Sequence, residues 1–567
     1  MSTEVDTSTE KLIQQALAQH RNDETDMAKS TYAAVLKIDP KNTQVIHALG
    51  ILHAQLQDYQ QAYGYFSHAC SIDPDNPHFL SSLANCLRLQ GKDQAALATF
   101  LQALKIQPTL SLHNNLGLLY MQMNAHDQAI VQFKSALQLH PKYASSHYNL
   151  ALCLVTQQQY ETAMQHLEYA LSQDPKHIQA LCQLGKIQQQ AAAYHHAIIS
   201  YQKILALEPK HAVALQNIGL CYLQLEEDVK GLNYLERAFK FDPNLDDIHH
   251  NLACVYLHTR SYAKALKHWL SHSNIHKDRD TWYNIGVCQL YLGRYNDALD
   301  YFHHVLRDHP DDHASLVNIG ACFLQQGIFD KAAEYYTRAQ KLDPQPSLAY
   351  ILSSLNGDEQ PSHAPESYVT DLFNQYAYNY DNHLKNVLSY TVPEHVVSII
   401  KHTINPAHKS LDVLDLGCGT GLCGEALKPF CNSIIGVDLA QNMLDLAAKK
   451  SIYDQLHCLR IPEQLSIYPG VNCIIAGDVF PYMGALDSTF VWLEQQLESG
   501  SSVIFTVERA VQGDYCLLKT ARFAHSSDYI AKIAQQYSFY IAAYENVMLR
   551  THQRDYVEGF CFCLTRI

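Results

Sequence analysis

Residues 411–421 read L-D-V-L-D-L-G-C-G-T-G, a short apolar run followed directly by Gly417, Gly419 and Gly421. The apolar run has the composition of a buried parallel strand, and the residues after Gly421 favour a helix. Glycines between a strand and a helix allow a tight turn and leave backbone N–H groups accessible to a ligand. The stretch therefore predicts an α/β fold with a ligand held at the end of its first strand.

A second apolar run, containing Ile434, Ile435 and Val437, ends in Asp438, seventeen residues after Gly421. A carboxylate at the end of the neighbouring parallel strand is placed to accept hydrogen bonds from a ribose. A glycine turn with a solvated aspartate would explain one of these motifs, but not both in this order. Together they predict an enzyme with a nucleoside-bearing cofactor.

The glycines alone do not identify the cofactor, because Gly419, Gly421 and Gly424 also fit the dinucleotide pattern G-x-G-x-x-G of NAD enzymes. Asp415 favours S-adenosyl-L-methionine, since its carboxylate would repel a pyrophosphate but could orient a cationic cofactor. The chain also ends in two β-rich runs, 544–551 and 556–565, which suit an antiparallel terminal hairpin.

These motifs resemble those of the class I S-adenosylmethionine-dependent methyltransferases, whose fold is α/β and Rossmann-like. The match rests on V-L-D-L-G-C-G-T-G followed by G-V-D-L-A at 436–440. The resemblance implies that the following residues bind the cofactor: Asp415, Gly417, Cys418, Gly419, Gly421, Asp438, Leu439 and Asp478.

Composition limits the class of protein. At 567 residues, two or more domains are expected. The net charge of −15 is shared almost evenly between residues 1–365 and 366–567, and neither part has the basic surface that nucleic-acid binding requires. The 16 cysteines suit a reducing compartment. Without a Sec-type signal or a long apolar run, we expect a cytoplasmic protein that binds neither nucleic acid nor membrane.

The first two-thirds of the chain is a repeat with a period near 34 residues. This period is typical of tetratricopeptide repeats, which are pairs of helices with a proline after the second helix. About ten repeats fit residues 9–346 and predict an all-α superhelix, or α-solenoid. The periodic proline is missing once, at Lys277. The prolines are Pro40, Pro74, Pro108, Pro141, Pro175, Pro209, Pro243, Pro310 and Pro344.

Stacked repeats form a concave groove lined by the first helix of each pair. One position of that helix carries a primary amide in seven consecutive repeats: Asn115, Asn149, Gln183, Asn217, Asn251, Asn284 and Asn318. An amide matches the donor and acceptor of a peptide unit, so this ladder predicts binding of an extended protein or peptide. It resembles the ladder of O-linked N-acetylglucosamine transferase. The alternative is local hydrogen bonding between helices.

Histidines are numerous (32) and several are adjacent, as in His195-His196 and His249-His250. Adjacent residues on a helix do not face each other, and no H-E-x-x-H or C-x-x-C pattern is present. We therefore expect no metal site.

The segment after the repeats predicts a capping helix over 347–355, a turn-rich linker over 356–365, and two helices within 368–393. The predicted domains are the repeats at 9–346, the capping helix and linker at 347–366, and the methyltransferase domain at 367–567.

The whole chain resembles a bacterial family of predicted methyltransferases that carry tetratricopeptide repeats. Besides the cofactor motifs, the resemblance is most specific at the aromatic segment 372–384, at A-G-D-V-F-P-Y-M-G (476–484) and at A-R-F-A-H-S (521–526). The chain departs from the family at Ala521, usually glycine, and at Arg460, where an acid often contacts the adenine amino group. Glu463 could take the place of that acid.

The fourth-strand motif lacks the Asn/Asp-Pro-Pro-aromatic sequence of base methyltransferases, which argues against a flipped-base acceptor. Five residues near strand ends are candidate catalytic groups: Asp478, Tyr482, Glu508, Arg522 and His525. Glu508 follows an apolar strand and should point at the pocket, while His525 should cover it as a general base. Alternatively, Arg522 pairs with Glu508 and His525 caps a helix.

The sequence thus predicts a methyltransferase joined to a docking array for a protein or carrier-bound acceptor. Two alternatives remain. The cofactor domain could bind without turnover, as part of a scaffold. The enzyme could instead methylate a small molecule and use its repeats for self-association.

Overall fold

The structure is a computed structural model, which describes residues 2–274, 276–357, 361–377, 380–381, 384, 388–404, 410–552 and 555–567. The chain divides into two compact units, Met1–Arg260 and Ser261–Ile567. Within the described ranges, no helix combines the length and the apolar character needed to cross a bilayer.

The first unit is helical, because apolar residues recur at helical spacing between the proline-containing turns. Each helix from α1 to α14 packs against the next one along the chain. The helices are α1 Ser2–Arg21, α2 Thr25–Ile38, α3 Thr43–Gln55, α4 Tyr59–Ile72, α5 Pro77–Leu89, α6 Asp93–Ile106, α7 Leu110–Gln122, α8 His126–Leu139, α9 Ala144–Thr156, α10 Tyr160–Gln173, α11 Ile178–Gln190, α12 Tyr194–Leu207, α13 Ala212–Gln224, α14 Asp228–Phe241 and α15 Ile248–His258.

Small residues on the first helix of a repeat let the second helix approach closely. A side-chain carbon added at Gly117 would lie 2.5 Å from a ring carbon of Phe133, which is fully buried. The same relation holds at 2.7 Å between Gly286 and Phe302 in the second unit. Glycine is therefore required by packing at these positions.

The second unit begins with helices of the same kind, α16 Tyr262–Ser273, α17 Arg279–Tyr291, α18 Tyr295–Asp308, α19 His313–Gln325 and α20 Phe329–Leu342. In the part of the chain that the structure describes, twenty helices precede Pro346, a number consistent with about ten two-helix repeats. The periodic proline is missing at Lys277. The next residue, Asp278, caps the start of α17, because its side chain accepts a hydrogen bond from Thr281 N at 2.8 Å. The predicted capping helix is present as α21, Pro346–Asn356.

The rest of the second unit alternates strands and helices. The helices are α22 Glu366–Tyr376, α23 Val392–Thr403, α24 Leu422–Leu427, α25 Gln441–Lys449, α26 Asp487–Gln496 and α27 Ser527–Gln536. The strands are β1 Leu411–Leu416, β2 Cys431–Asp438, β3 Gln455–Cys458, β4 Cys473–Ala476, β5 Ser502–Arg509, β6 Tyr515–Leu517, β7 Phe523–His525, β8 Phe539–His552 and β9 Asp555–Arg566. Part of the aromatic segment 372–384, including Tyr378, Asn379, Asn382 and His383, lies outside the described residues.

The strands form one sheet whose central part, β3-β2-β1-β4-β5, is parallel. Strand β9 runs antiparallel to β5 and to β8, so the predicted terminal hairpin is confirmed. It begins earlier than predicted, at Phe539. Because β1 and β2 are neighbours and parallel, the glycine turn and Asp438 meet at the same edge of the sheet.

Both faces of the sheet are buried, as a parallel sheet requires. One face, with Ile474 and Phe505, packs under α26 and α27 through residues such as Phe490 and Ile530. The other, with Ile475, packs under α23 and α24. The predicted fold class, a helical repeat array followed by an α/β domain, is confirmed.

The last part of the segment predicted to be a linker is bound to the α/β domain. Residues 361–365, here called the strap, pair with the segment after β4. Ala364 N donates to Tyr482 O at 2.9 Å, and Gly484 N donates to Ser362 O at 2.8 Å. The strap is therefore held by the α/β domain, an outcome that polar, turn-rich composition could not reveal. Residues 358–360 lie outside the described residues.

Candidate functional site

A cavity of about 400 Å³ opens at the carboxyl ends of β1, β2 and β4. It is lined by the glycine turn (Gly417, Cys418 and Gly419), by Asp438 and Leu439, and by Asp415, Asp478 and Tyr482. Seven of the eight predicted cofactor residues and two of the five catalytic candidates thus line one cavity. Gly421 is not in the lining, but it completes the turn.

The glycine turn adopts backbone angles that favour glycine. Gly417 and Gly421 have φ of 64° and 91°, and a side chain at Gly417 would collide with Val479. The backbone of the turn consequently stays free to line the cavity.

Asp438 fixes the turn and faces the cavity. Its Oδ2 accepts from Gly419 N at 2.8 Å and its Oδ1 accepts from Ala440 N at 2.8 Å. Burial raises the pKa of Asp438, although these hydrogen bonds favour its ionised form. Each oxygen keeps a second lone pair, which suits the two hydroxyls of a ribose.

Asp415 is 1% exposed and has a partner that sequence reasoning missed. Tyr453 donates its hydroxyl to Asp415 Oδ2 at 2.7 Å, and burial raises the pKa of the carboxyl to about 7. A side-chain carbon at Gly424 would lie 2.5 Å from the Tyr453 hydroxyl. Gly424, which fitted the dinucleotide pattern, therefore makes room for Tyr453.

We predict that affinity for a cationic cofactor rises with pH through about 7. A folded-state pKa near 7 means that Asp415 still holds its proton at pH 6, and only the ionised form attracts a cation. Calorimetric titration with S-adenosylmethionine should show about tenfold tighter binding at pH 8 than at pH 6. Asp415→Asn should bind more weakly and with a flat profile; a pH dependence that survives the substitution would contradict this assignment.

Asp478 is held by a cluster of buried charges beneath the cavity. Arg522 donates to Asp478, to Glu508 and, at 2.7 Å, to the Tyr482 hydroxyl. Arg550 donates to Glu508 at 2.7 Å. Asp478 also has φ of 93°, in the region that favours glycine, so this cluster stabilises a strained backbone beside the cavity.

Glu508 is placed differently from the expectation that it points at the pocket. It is 3% exposed and lies between Arg522 and Arg550, which hold its pKa below the usual range although burial opposes ionisation. The alternative, a pair with Arg522, describes its surroundings. The reason is tertiary: Arg550 arrives from β8, far along the chain.

His525 is also not among the residues that line the cavity. It is fully buried in β7, donates from Nε2 to Gly484 O at 3.0 Å, and stacks on Tyr529. Burial lowers its pKa to about 4. Ser526, not His525, caps α27, by accepting from Tyr529 N. This environment suits a structural role rather than that of a base that covers the pocket.

The side of the cavity next to β3 carries Arg460 and Glu463, which lie 3.4 Å apart (Nε to Oε2). Arg460 Nη2 also donates to His363 Nε2 of the strap at 3.3 Å. Glu463 therefore lines the cavity as an ion pair with Arg460.

The aromatic segment covers another side of the cavity. Phe373, Tyr380 and Leu384 line it. Asp381 accepts from Thr420 Oγ1 of the glycine turn and from Lys450 Nζ at 2.7 Å. These contacts hold the described part of the segment against the glycine turn and the end of α25.

The seven amide side chains of the ladder differ in their hydrogen-bond partners. Asn149 Nδ2 donates to Asn114 Oδ1 of the preceding repeat at 3.3 Å, and Asn318 Nδ2 donates to the Tyr283 hydroxyl at 3.1 Å. These two amides follow the alternative of hydrogen bonding between repeats. The other five are partly buried: Asn115, Gln183, Asn217, Asn251 and Asn284.

Comparison with known proteins agrees with a repeat region followed by an α/β domain. A family model for methyltransferase domains matches residues 413–470, and models for tetratricopeptide repeats match 53–116, 120–184, 178–211 and 283–345. The chain therefore contains tetratricopeptide repeats in its N-terminal region and a methyltransferase domain towards its C-terminus.

Among curated proteins, the chain is similar to an uncharacterized methyltransferase of Schizosaccharomyces pombe, 42% identical over 40 residues, or 7% of this chain and 14% of that protein. It is 26% identical to the BBSome complex member BBS4 of Bos taurus over 117 residues, 20% of this chain and 22% of that one. The chain thus matches less than a quarter of the length of these relatives.

Among solved structures, PilW, a type IV pilus biogenesis factor, is 22% identical, with a TM-score of 0.34, over 37% of this chain and 98% of that one. A human IFIT1 dimer with PPP-AAAA is 21% identical, with a TM-score of 0.34, over 50% of this chain and 68% of that one. Similarities with such TM-scores carry no information on function.

Proposed function

We propose that this protein is a class I S-adenosyl-L-methionine-dependent methyltransferase whose repeats dock a protein or peptide acceptor. The observation that carries the proposal is the cavity at the ends of β1, β2 and β4, where the glycine turn and Asp438 share one surface. The family match at 413–470 supports it, because the match covers this turn and Asp438.

The residues present fit this cofactor. The donor set around the cavity is rich in carboxylates, namely Asp415, Asp438 and Asp478, which suits ribose hydroxyls and positive charge and opposes a pyrophosphate. Asp438 would hold the ribose, Asp415 the cationic end, and Glu463 the adenine amino group. Bound there, the cofactor supplies a methyl group activated by a positively charged sulfur.

The chain's own residues then align the acceptor and exclude water, which is the main task in methyl transfer. Phe373, Tyr380 and Leu384 are placed to shield the cavity. Asp478 and Tyr482 line it and are oriented by Arg522, so they are the groups proposed to contact the acceptor.

We propose that the acceptor is macromolecular and that the repeat groove binds it through the amides not committed to neighbouring repeats. We also propose a cytoplasmic location. All 16 cysteines are free thiols, which a reducing compartment favours.

The test is transfer of a labelled methyl group from S-adenosylmethionine to cell lysate by the full chain. We expect label in the macromolecular fraction. Label only in small molecules would favour a small-molecule methyltransferase, and S-adenosylhomocysteine binding without any transfer would favour a scaffold.

The repeats supply a matched pair of variants for this assay. Replacing Gln183, Asn217 and Asn251 of the first unit together by alanine should weaken acceptor binding by about 1.5–4.5 kcal/mol, if each net hydrogen bond contributes about 0.5–1.5 kcal/mol. Cofactor affinity should not change. Asn149→Ala, whose amide is used between repeats, should leave transfer intact and lower only the melting temperature.

A further inference from the structure

The hairpin formed by β6 and β7 lies between the last repeat and the cavity. We call residues 515–525 the arginine hairpin, because it carries Arg522. The last repeat helix, α21 and the α/β domain belong to the same compact unit, Ser261–Ile567, so contacts across this hairpin lie inside one unit.

On the repeat side, Tyr350 of α21 reaches the hairpin. It is 3% exposed, and its hydroxyl donates to Ala521 O at 3.0 Å. Its ring lies 5.0 Å from that of Tyr368 and 6.3 Å from that of Phe523, between centroids. A second contact is the Lys519 ammonium, 4.8 Å from the ring centroid of Phe329 at the start of α20. Helices α20 and α21 therefore contact the hairpin at two residues, Lys519 and Ala521.

The turn of the hairpin is conformationally constrained at Ala521. This alanine has φ of 56°, in the left-handed region that costs free energy for any residue with a side chain. Ala521 N donates to Leu518 O at 2.9 Å, and Leu518 N donates to Arg522 O at 2.8 Å. The hydrogen bond from Tyr350 fixes the carbonyl that precedes Arg522, and so helps to hold this unfavourable turn.

On the cavity side, Arg522 holds Tyr482 and Asp478, which both line the cavity; Asp478 is also one of the predicted cofactor residues. The Arg522 guanidinium donates to Asp478 and to the Tyr482 hydroxyl, and its carbon Cζ lies 4.9 Å from the Tyr482 ring centroid. The position of the Arg522 backbone consequently decides where these side chains stand in the cavity.

We infer that Tyr350 is a positioning residue, through which the helix after the last repeat sets Arg522 and thereby Asp478 and Tyr482. The inference rests on the proposed function. On this inference, α21 helps to position the side chains of the cavity. A macromolecule docked on the last repeats can then change the positions of Asp478 and Tyr482 through α21 and the arginine hairpin.

The test is Tyr350→Phe in the full chain, which removes the hydroxyl and keeps the ring. Calorimetric titration with S-adenosylhomocysteine should show about two- to tenfold weaker binding, the size of one net hydrogen bond. The melting temperature without ligand should stay close to that of the unmodified chain. Tyr540→Phe, at an exposed tyrosine of β8, is the matched control and should change neither quantity.

A double-mutant cycle separates positioning from general stability. In an Asp478→Asn background, Tyr350→Phe should have little further effect on S-adenosylhomocysteine affinity, because the group that it positions has already been altered. Lys519→Met is an independent variant at an exposed residue, and should weaken binding in the same direction by less.

Unchanged affinity in Tyr350→Phe, or effects that add fully with Asp478→Asn, would overturn the inference and leave the proposed function standing. A lower melting temperature with unchanged affinity would also overturn it, since Tyr350 would then only stabilise the fold. If the unmodified chain does not bind S-adenosylhomocysteine at all, the proposed function falls together with the inference.

Discussion

Asp438→Ala should remove the stabilisation of this protein by S-adenosylhomocysteine. At 100 times its dissociation constant, a ligand that binds only the folded state stabilises it by about 2.7 kcal/mol. This corresponds to a rise of about 5 °C in the melting temperature of the second unit. The variant loses the proposed ribose acceptor and also the carboxylate that holds Gly419 N, so we expect no measurable rise.

The measurement is a thermal melt with and without ligand. Asp445→Ala, at an exposed aspartate of α25 outside the cavity lining, is the matched control and should keep the full shift. NAD should give no shift with the unmodified chain. A shift with NAD, or an undiminished shift in Asp438→Ala, would show that the cofactor assignment is wrong.

Arg522→Met should destabilise the second unit by about 3–5 kcal/mol, the usual cost of breaking a buried ion pair by removing one partner. Arg522 pairs with both Asp478 and Glu508, whose side chains are 17% and 4% exposed. Without Arg522, the two carboxylates would be left with Arg550 alone. A chemical denaturation curve followed through the α/β domain, where Trp492 lies, measures the loss.

A second variant distinguishes lost charge balance from lost packing. Arg522→Met combined with Glu508→Leu leaves one carboxylate, Asp478, and one guanidinium, Arg550, whose Nη1 is 3.8 Å from Asp478 Oδ1. The double variant should therefore recover much of the lost stability. If it is less stable than Arg522→Met, the cost comes from packing and not from an uncompensated charge.

The parts of the site that follow from local chain geometry could be predicted. A strand, a glycine turn and a following helix are contiguous in sequence, and Gly417 and Gly421 have the backbone angles that the pattern requires. Asp438 ends the neighbouring parallel strand, so its place beside the turn follows from right-handed strand–helix–strand connection. The repeats are predictable for the same reason, since each buries its apolar residues mainly against its neighbours in the chain.

The candidate catalytic residues could not be placed in this way. Glu508 ends an apolar strand, but its orientation depends on Arg522, in the turn before β7, and on Arg550 of β8. His525 has the chemistry of a base, yet its strand lies inside the sheet and burial lowers its pKa to about 4. Neither outcome is visible in the neighbouring residues.

Sequence alone was enough to predict the repeat array, the α/β class of the following domain and the side of the cavity formed by the glycine turn, because these depend on periodicity and on contiguous motifs. Three contacts could be found only in the folded structure: Tyr453 pairs with Asp415, the strap joins the α/β domain, and Tyr350 reaches Ala521. These partners are far apart in sequence; Tyr350 and Ala521, for example, are separated by 171 residues. Contacts of that kind form only when separately predictable elements pack together.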